Sequence, residues 1–420
     1  MTIRERKNCR VCGSEKLTPV LSLGEQFVTN FLADTETEAL KAPLDVVRCD
    51  SSEGCGLVQL KHTVDRDEMY KQYWYMSGVS KTMIDALKDV AQKSERIVGL
   101  SNGDIVIDIG SNDGTLLNQY ETKKIKKVGF EPSNLWDICK EKEIEVIHDY
   151  FNKNSFEKKF GNEKAKLVTS IAMFYDLDDP NSFVEDVKEV LSPEGLWVIQ
   201  MNYLGTMLEQ NTFDNVSHEH LEYYSLGSLE SLLSRHGMEV KDVEINEVNG
   251  GSFRTYITPV HSKLKFEAES EKRVSDLRRY EKEIGLEGKE IYQQFEKNVE
   301  KISTEIREFL TDEVNKGKKV YILGASTRGL VVLQRAGINN RLITAAADKS
   351  QNKIGRYIVG TGIPIISLEQ YREEKPDYTL VLPYQFKKEI LAQESDYINN
   401  GGEMVFALPK LQVIGKEGLE

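Results

Sequence analysis

Between Asp104 and Leu117 the chain reads DIVIDIGSNDGTLL, and this stretch narrows the possible folds more than any other. A short apolar strand runs into a glycine turn and then into the start of a helix. Gly110 and Gly114 let the backbone approach a ligand closely, and a helix N-terminus favours a carboxylate or phosphate. The turn is G-x-x-x-G rather than G-x-G-x-x-G, a poor fit to dinucleotide binding. About twenty residues on, KKVGFEPS sets Glu131 at a second strand end, where a carboxylate can accept both hydroxyls of a ribose. The pair therefore predicts a doubly wound sheet that binds an adenosine ligand. Further strand-like segments, KLVTSIAMF and GLWVIQM, alternate with helical ones up to about Val260, the pattern of a mostly parallel sheet with crossover helices.

A second alternating region starts at KKVYILGASTRG and continues through LITAAADK and DYTLVLP, predicting a smaller α/β domain. Between the two regions lies a highly charged stretch. In it Ile291, Phe295, Val299, Ile302, Ile306 and Leu310 recur at steps of three or four, the apolar stripe of a long connecting helix. The expected division is 1–65, a small N-terminal domain; 66–262, the central domain; 263–317, a helical connector; and 318–420, the C-terminal domain. A chain of 420 residues suits such a count.

Net charge is −13 with lysine and arginine scattered, which argues against nucleic acid as a partner. No apolar run reaches eighteen residues, so no membrane span is expected. The opening MTIRERKNCRVC has no apolar signal segment, and a cytoplasmic protein is expected. Four of the five cysteines fall within the first 55 residues. Cys9 and Cys12 form C-x2-C before Gly13, and Cys49 and Cys55 form C-x5-C before Gly56. Glycine there lets backbone N–H groups turn toward thiolate sulfur, and four thiolates make a closed, structural zinc site. Cys139 has no partner and reads as a small core residue.

The densest group of proton-transfer side chains is SHEHLEYYS, residues 217–225, which holds two of the six histidines. If the segment is extended, His218 and His220 share one face and Glu219 points away.

DIGSNDGTLL with GFEPS resembles the first two motifs of class I S-adenosylmethionine (SAM) methyltransferases. CRVCGS, SLGEQFVTNF, CGLVQL, YWYMSGVSKTM, HEHLEYYSL, NGGSFRTYI, YILGASTRG and PDYTLVLP extend the resemblance over nearly the whole chain, to sugar C-methyltransferases. These have a zinc-binding N-terminal domain, a central methyltransferase domain and a Rossmann-like C-terminal domain. They methylate carbon 3 of 4-keto-deoxyhexoses carried on a nucleoside diphosphate.

The resemblance implies that Asp108, Gly110, Ser111 and Asn112 line the cofactor turn, that Glu131 holds the ribose, and that Ala172, Met173 and Phe174 edge the adenine and sulfonium. It implies His220 as the base, with Glu219, His218 and Tyr75 in support. A nucleotide-sugar would meet Asn30, Tyr73, Ser217, Tyr223, Tyr224 and Arg254, with Ser326, Thr327 and Arg328 at its pyrophosphate. Such a base is needed because carbon attacks a sulfonium methyl only after a proton beside a ketone is removed to give an enolate, whose oxygen charge requires donors.

The family carries Tyr where this chain has Ser217, so Tyr73, Tyr223 or Tyr224 would have to supply the phenol. MFYDL (173–177) also departs from the FAH-type sequence usual there. Both mark a divergent branch. The competing readings are an O-methyltransferase of a sugar nucleotide or other small molecule, a nicotinamide (NAD)-dependent oxidoreductase using Gly324–Gly329, and a zinc-bearing scaffold. The nucleoside, the sugar, the methylated position and the choice between monomer and homodimer are left open by the sequence.

Overall fold

A computed structural model describes residues 3–28, 30–50, 52–65, 69, 73–142 and 144–418. Alternating and turn-rich sequence at the N-terminus builds short antiparallel strands: β1 (Ile3–Glu5), β2 (Leu17–Phe27), β3 (Phe31–Leu32), β4 (Lys41–Cys49), β5 (Val58–Leu60) and β6 (His62–Val64). The β2, β4 and β5 strands form the body of this domain, and β1 pairs with β6.

Helix α1 (Lys81–Val98) opens the central domain. The Ser80 hydroxyl accepts from the Met83 N–H at its start, and Gly99, left-handed at φ 62°, ends it. The stripe Met83, Leu87, Val90, Ala91, Ser94 and Val98 is buried, as 3.6-residue periodicity requires. Then follow β7 (Ile105–Ile109), β8 (Lys126–Phe130), α2 (Trp136–Lys140), β9 (Glu145–Ile147), α3 (Lys153–Phe160), β10 (Ala165–Ile171), α4 (Pro180–Val190), β11 (Leu191–Asn202), α5 (Leu204–Glu209), β12 (Glu222–Tyr223), α6 (Leu226–Arg235), β13 (Met238–Asn246) and β14 (Ser252–Pro259). The sheet runs β13-β14-β11-β10-β7-β8-β9. It is parallel except that β14 lies antiparallel to both β11 and β13. All five residues of β7 are buried, the mark of a strand covered on both faces. The chain order reverses across β7, between β8 and β10, which opens a crevice at the strand ends.

Two helices follow, α7 (Ser270–Glu283) and α8 (Glu290–Asn315). The predicted stripe of α8 is buried at Phe295, Val299, Ile302, Ile306 and Leu310, with Tyr292 rather than Ile291 completing it. The helix is more than a connector: its stripe belongs to one core with residues of β2 and of the C-terminal sheet. The C-terminal domain comprises β15 (Val320–Leu323), α9 (Thr327–Ala336), β16 (Ala346–Asp348), β17 (Tyr357–Ile358), β18 (Ile363–Ser367), α10 (Leu368–Glu374), β19 (Tyr378–Val381), α11 (Lys387–Gln393), α12 (Ser395–Asn399), β20 (Glu403–Phe406) and β21 (Gln412–Ile414).

Strands cross the expected boundaries. The C-terminal sheet runs β21-β20-β19-β15-β16-β18-β17-β3, ending on the N-terminal β3, with Leu32 opposite Tyr357. The central β12 closes the N-terminal sheet on β5. Each outer domain is thus locked by backbone pairing to another part of the chain. Among the described residues, no helix is long and apolar enough to cross a membrane.

Candidate active site and metal centre

The crevice at the ends of β7, β8 and β10 widens into one cavity of about 750 Å³, within the size range of small-molecule sites. Gly110, at φ 73°, lets the chain turn beside Met173, whose Cγ would lie 3.2 Å from a Cβ placed there. The Asp108 carboxylate accepts from the Thr169 hydroxyl at 2.6 Å, and burial pushes its pKa up to about 7. Glu131 accepts from the Asn112 N–H at 2.6 Å and the Ser133 N–H at 2.9 Å, so the second strand end and the glycine turn are bound together. Burial raises the Glu131 pKa against the pull of those donors. Asp108, Gly110, Ser111, Asn112, Glu131, Ala172 and Met173 all line the cavity. Phe174 does not. It is fully buried among Phe183, Trp197 and Tyr224.

The segment YWYMSG is laid over this turn by the loop's own polar groups. Asn112 donates to the Tyr75 carbonyl at 3.0 Å and accepts from the Ser77 N–H at 3.0 Å. Asp113 accepts from the Gly78 N–H at 3.0 Å. Tyr73 and Tyr75 consequently line the cavity. Burial first, and then the charges of Glu219 and Asp176, hold the Tyr73 phenol protonated.

Residues 217–220 form a turn, closed by the His220 N–H donating to the Ser217 carbonyl at 3.1 Å. This corrects the extended reading. His218 and His220 do not share a face. His218 Nε2 meets the Ala42 carbonyl of β4 at 3.0 Å, and burial pushes its pKa down to about 4; it clasps the N-terminal domain. His220 turns the other way and its ring lies 4.3 Å from that of Tyr175. Its Nδ1 lies 2.7 Å from the Asn215 carbonyl. A carbonyl only accepts, so Nδ1 carries the proton and Nε2 keeps its lone pair. Burial lowers the His220 pKa to about 4, which keeps the ring neutral near pH 7. Glu219, next to Asn30, has a pKa raised by burial to about 7, and its charge is felt at Tyr73 and Tyr175. Tyr175 is the residue that sequence reasoning passed over, although it is the centre of the unusual MFYDL.

Other expected substrate contacts lie elsewhere. Tyr223 is buried on β12. The Tyr224 hydroxyl donates to Glu222 at 2.9 Å, in the core between the sheets. The buried Ser217 hydroxyl has no hydrogen-bond partner among the described residues and borders a void of about 20 Å³ shared with Asn30, Gln26 and Thr327. Arg254 is consumed by the sheet: it donates to Gln200 and Asp89, both at 2.8 Å, and is buried. Ser326 caps α9 by accepting from the Gly329 N–H at 3.0 Å. Arg328 donates to Asp214 at 2.9 Å, the Asn249 carbonyl at 2.7 Å and the Tyr384 hydroxyl at 3.1 Å. The glycines of this second turn face protein: a Cβ on Gly324 would lie 2.6 Å from Pro383, and one on Gly329 would lie 2.5 Å from Leu382. With that cradle filled, nothing favours a nicotinamide dinucleotide there.

The four N-terminal cysteines converge as expected. Their Sγ atoms all lie within 4.8 Å of one another, with Cys9–Cys55 and Cys12–Cys49 each at 3.5 Å. Zn–S bonds of ~2.3 Å in a tetrahedron set sulfurs roughly 3.8 Å apart, so the set fits zinc. Gly13 and Gly56 take positive φ, 77° and 75°. A Cβ on Gly54 would strike Cys49 Sγ at 2.2 Å. Hydrogen bonds from Cys55 and Cys9 lower the Cys49 pKa, and the same contacts raise those of Cys9 and Cys55, so the sulfurs are packed closely enough to share one charge among them. Cys139 is a buried core residue, its Sγ 3.6 Å from the Ser111 hydroxyl.

Family models match three consecutive parts of the chain: a zinc binding domain over residues 9–70, a methyltransferase domain over 77–243 and a C-methyltransferase C-terminal domain over 247–409. The C-methyltransferase NovU of Streptomyces niveus is 30% identical over 420 residues, 99% of this chain and 98% of that protein. Among solved structures, a SAM-dependent methyltransferase from Clostridium acetobutylicum covers 42% of this chain and 92% of its own at 13% identity and TM-score 0.34. One from Aquifex aeolicus covers 41% and 97% at 18% identity and TM-score 0.30. Neither superposition adds to the assignment at such scores. The full-length likeness, the three matched domains and the strand order carry it: the chain belongs to the SAM-dependent C-methyltransferases that join a zinc-binding domain, a class I methyltransferase domain and a C-terminal domain of their own.

Proposed function

We propose that the substrate is a keto-deoxysugar carried on a nucleotide and that His220 is the base that turns its carbon into a nucleophile. The observation that carries this reading is the neutral His220, its Nδ1 proton committed to Asn215 and its Nε2 unprotonated, packed against the ring of Tyr175, which is felt electrostatically at the protonated phenol of Tyr73 on the cavity wall. SAM supplies an electrophilic methyl on a sulfonium. The residues at the glycine turn, Asp108, Gly110, Ser111, Asn112, Glu131, Ala172 and Met173, would hold it.

Nε2 takes the proton from the carbon beside the ketone, and the electron pair moves onto the ketone oxygen. The Tyr73 phenol meets that charge in place of the tyrosine that Ser217 lacks, with Tyr75 beside it. The enolate carbon would then be the nucleophile for the methyl that bound SAM would supply, with the demethylated cofactor as leaving group. Glu219, half-protonated near neutral pH, orients the sugar together with Asn30. Protein residues thus supply the base and the oxygen donors, as proton abstraction beside a carbonyl requires.

The test is incubation of the zinc-loaded protein and SAM with a panel of nucleotide-linked keto-sugars, followed by NMR of the products. A new methyl carbon bonded to ring carbon supports the reading. A methoxy signal, or turnover only of sugars lacking a ketone, overturns it.

A further inference from the structure

We infer that Arg328 of the C-terminal domain is a positioning residue for the base: through Asp214 it fixes the Asn215 carbonyl that holds the Nδ1 proton of His220. This inference rests on His220 being the base. Asp214 and Asn215 are neighbours in the short helical turn Phe213–Asn215, buried throughout. Within the turn, the Asn215 side chain donates to the Thr212 carbonyl and hydroxyl at 3.1 and 3.0 Å, and its N–H donates to the Thr212 carbonyl at 3.1 Å. These bonds shape the turn but do not anchor it to the rest of the protein.

The charged anchor comes from α9. The guanidinium of Arg328 lies 2.9 Å (Nε) and 2.7 Å (NH2) from Asp214 Oδ2. The Asp214 side chain is 2% exposed and that of Arg328 15%, so water does little to screen the pair. The Tyr384 hydroxyl, which accepts from Arg328 at 3.1 Å, donates to the other Asp214 oxygen at 3.4 Å. Gly250 leaves the room for that phenol, since a Cβ there would lie 2.7 Å from its oxygen.

The arrangement makes the base's geometry depend on domain docking. His220 Nε2 keeps its lone pair only while Nδ1–H has its acceptor, and the residue beside that acceptor is held by a side chain 114 positions away in sequence. The C-terminal domain therefore acts on the reaction without touching the reacting carbon. The role differs from the pyrophosphate contact suggested by residue type, which would act on substrate affinity instead.

The test uses full-length, zinc-loaded protein carrying ¹⁵N-labelled histidine and saturated with the demethylated cofactor. The His220 signals are identified by their loss in His220→Ala. In wild type they should report the Nδ1–H tautomer. In Arg328→Met and in Asp214→Asn, a substantial Nε2–H population should appear. With the keto-sugar nucleotide turned over best in the product-mapping panel, kcat should fall at least about tenfold in both, with KM within about twofold and cofactor affinity unchanged. Arg328→Lys should recover part of kcat. If one variant fails to fold, the other carries the test. An unchanged tautomer with kcat retained overturns the inference, as does a rise in KM alone, which would return Arg328 to the pyrophosphate. A separate result marks failure of the underlying reading: His220→Ala that still exchanges the substrate proton means that His220 is not the base.

Discussion

The imidazole of His220 lies 4.3 Å from the ring of Tyr175, their planes inclined at 59°. That contact, with the Asn215 carbonyl on the other side, leaves the imidazole little freedom. It also links the imidazole to the tyrosines of the cavity wall, since Tyr73 senses Tyr175 and Tyr175 senses Tyr75 electrostatically. The phenol that does the work at the substrate is assigned to Tyr73. Tyr73→Phe should lower kcat about 10²-fold, the scale of losing one oxyanion donor, and leave SAM affinity intact. Steady-state kinetics with calorimetry checks this; an unaffected kcat assigns the donor elsewhere.

Cofactor binding should depend on the two carboxylates at the ends of β7 and β8. Asp108→Ala and Glu131→Ala should each weaken SAM binding by at least about tenfold, or ~1.4 kcal/mol. Glu131 fixes the Asn112 backbone, so its loss should disturb the turn itself as well as remove the carboxylate proposed for the ribose. Calorimetric affinities equal to wild type in both variants would displace the cofactor from this turn.

The N-terminal cluster should hold about one zinc per chain when purified without chelator. A sharper check leaves every ligand in place. Gly54→Ala puts a methyl 2.2 Å from Cys49 Sγ, so metal content should drop although all four thiols remain. Elemental analysis of the variant reads this directly, and full zinc occupancy would contradict the packing.

His218 is assigned to stability. Its folded-state pKa, near 4, lies below the unfolded value of 6.5, so the unfolded chain binds the proton more readily. Stability from this group is full above pH 6.5 and is lost as pH falls toward 4. At 1.36 kcal/mol per unit, the loss is about 3 kcal/mol. His218→Gln keeps a donor for the Ala42 carbonyl but does not titrate. Its stability deficit relative to wild type should narrow by about that amount over the same window in denaturant melts. Parallel pH curves for the two proteins would refute the assignment.

What was legible in the sequence had local causes. Gly110 with Glu131, the cysteine pairs and the α8 stripe each follow from backbone freedom or periodicity within a few residues. Where the structure departs from expectation, the cause is different. Arg254 and Arg328 resemble ligand contacts by residue type, yet their charges are met by Asp89 and Asp214, 165 and 114 residues away. The histidine face was misread because the direction of each ring depends on distant backbone carbonyls: Ala42 for one, and for the other Asn215 in a turn anchored by α9. Tyr223 and Tyr224 looked available only until β12 paired with β5. Residue type shows what a side chain can do, and in these cases tertiary partners decided which of those capacities was left.

We propose that His220 removes a proton from carbon before the methyl is transferred. With the demethylated cofactor bound, the second step cannot follow but the first still can. Wild type in heavy water should wash deuterium into the keto-sugar at one carbon, read by NMR. His220→Ala should lose that exchange while keeping cofactor affinity, and His218→Gln should keep most of it. Exchange that survives in His220→Ala, or is absent from wild type with a substrate it turns over, would contradict the account.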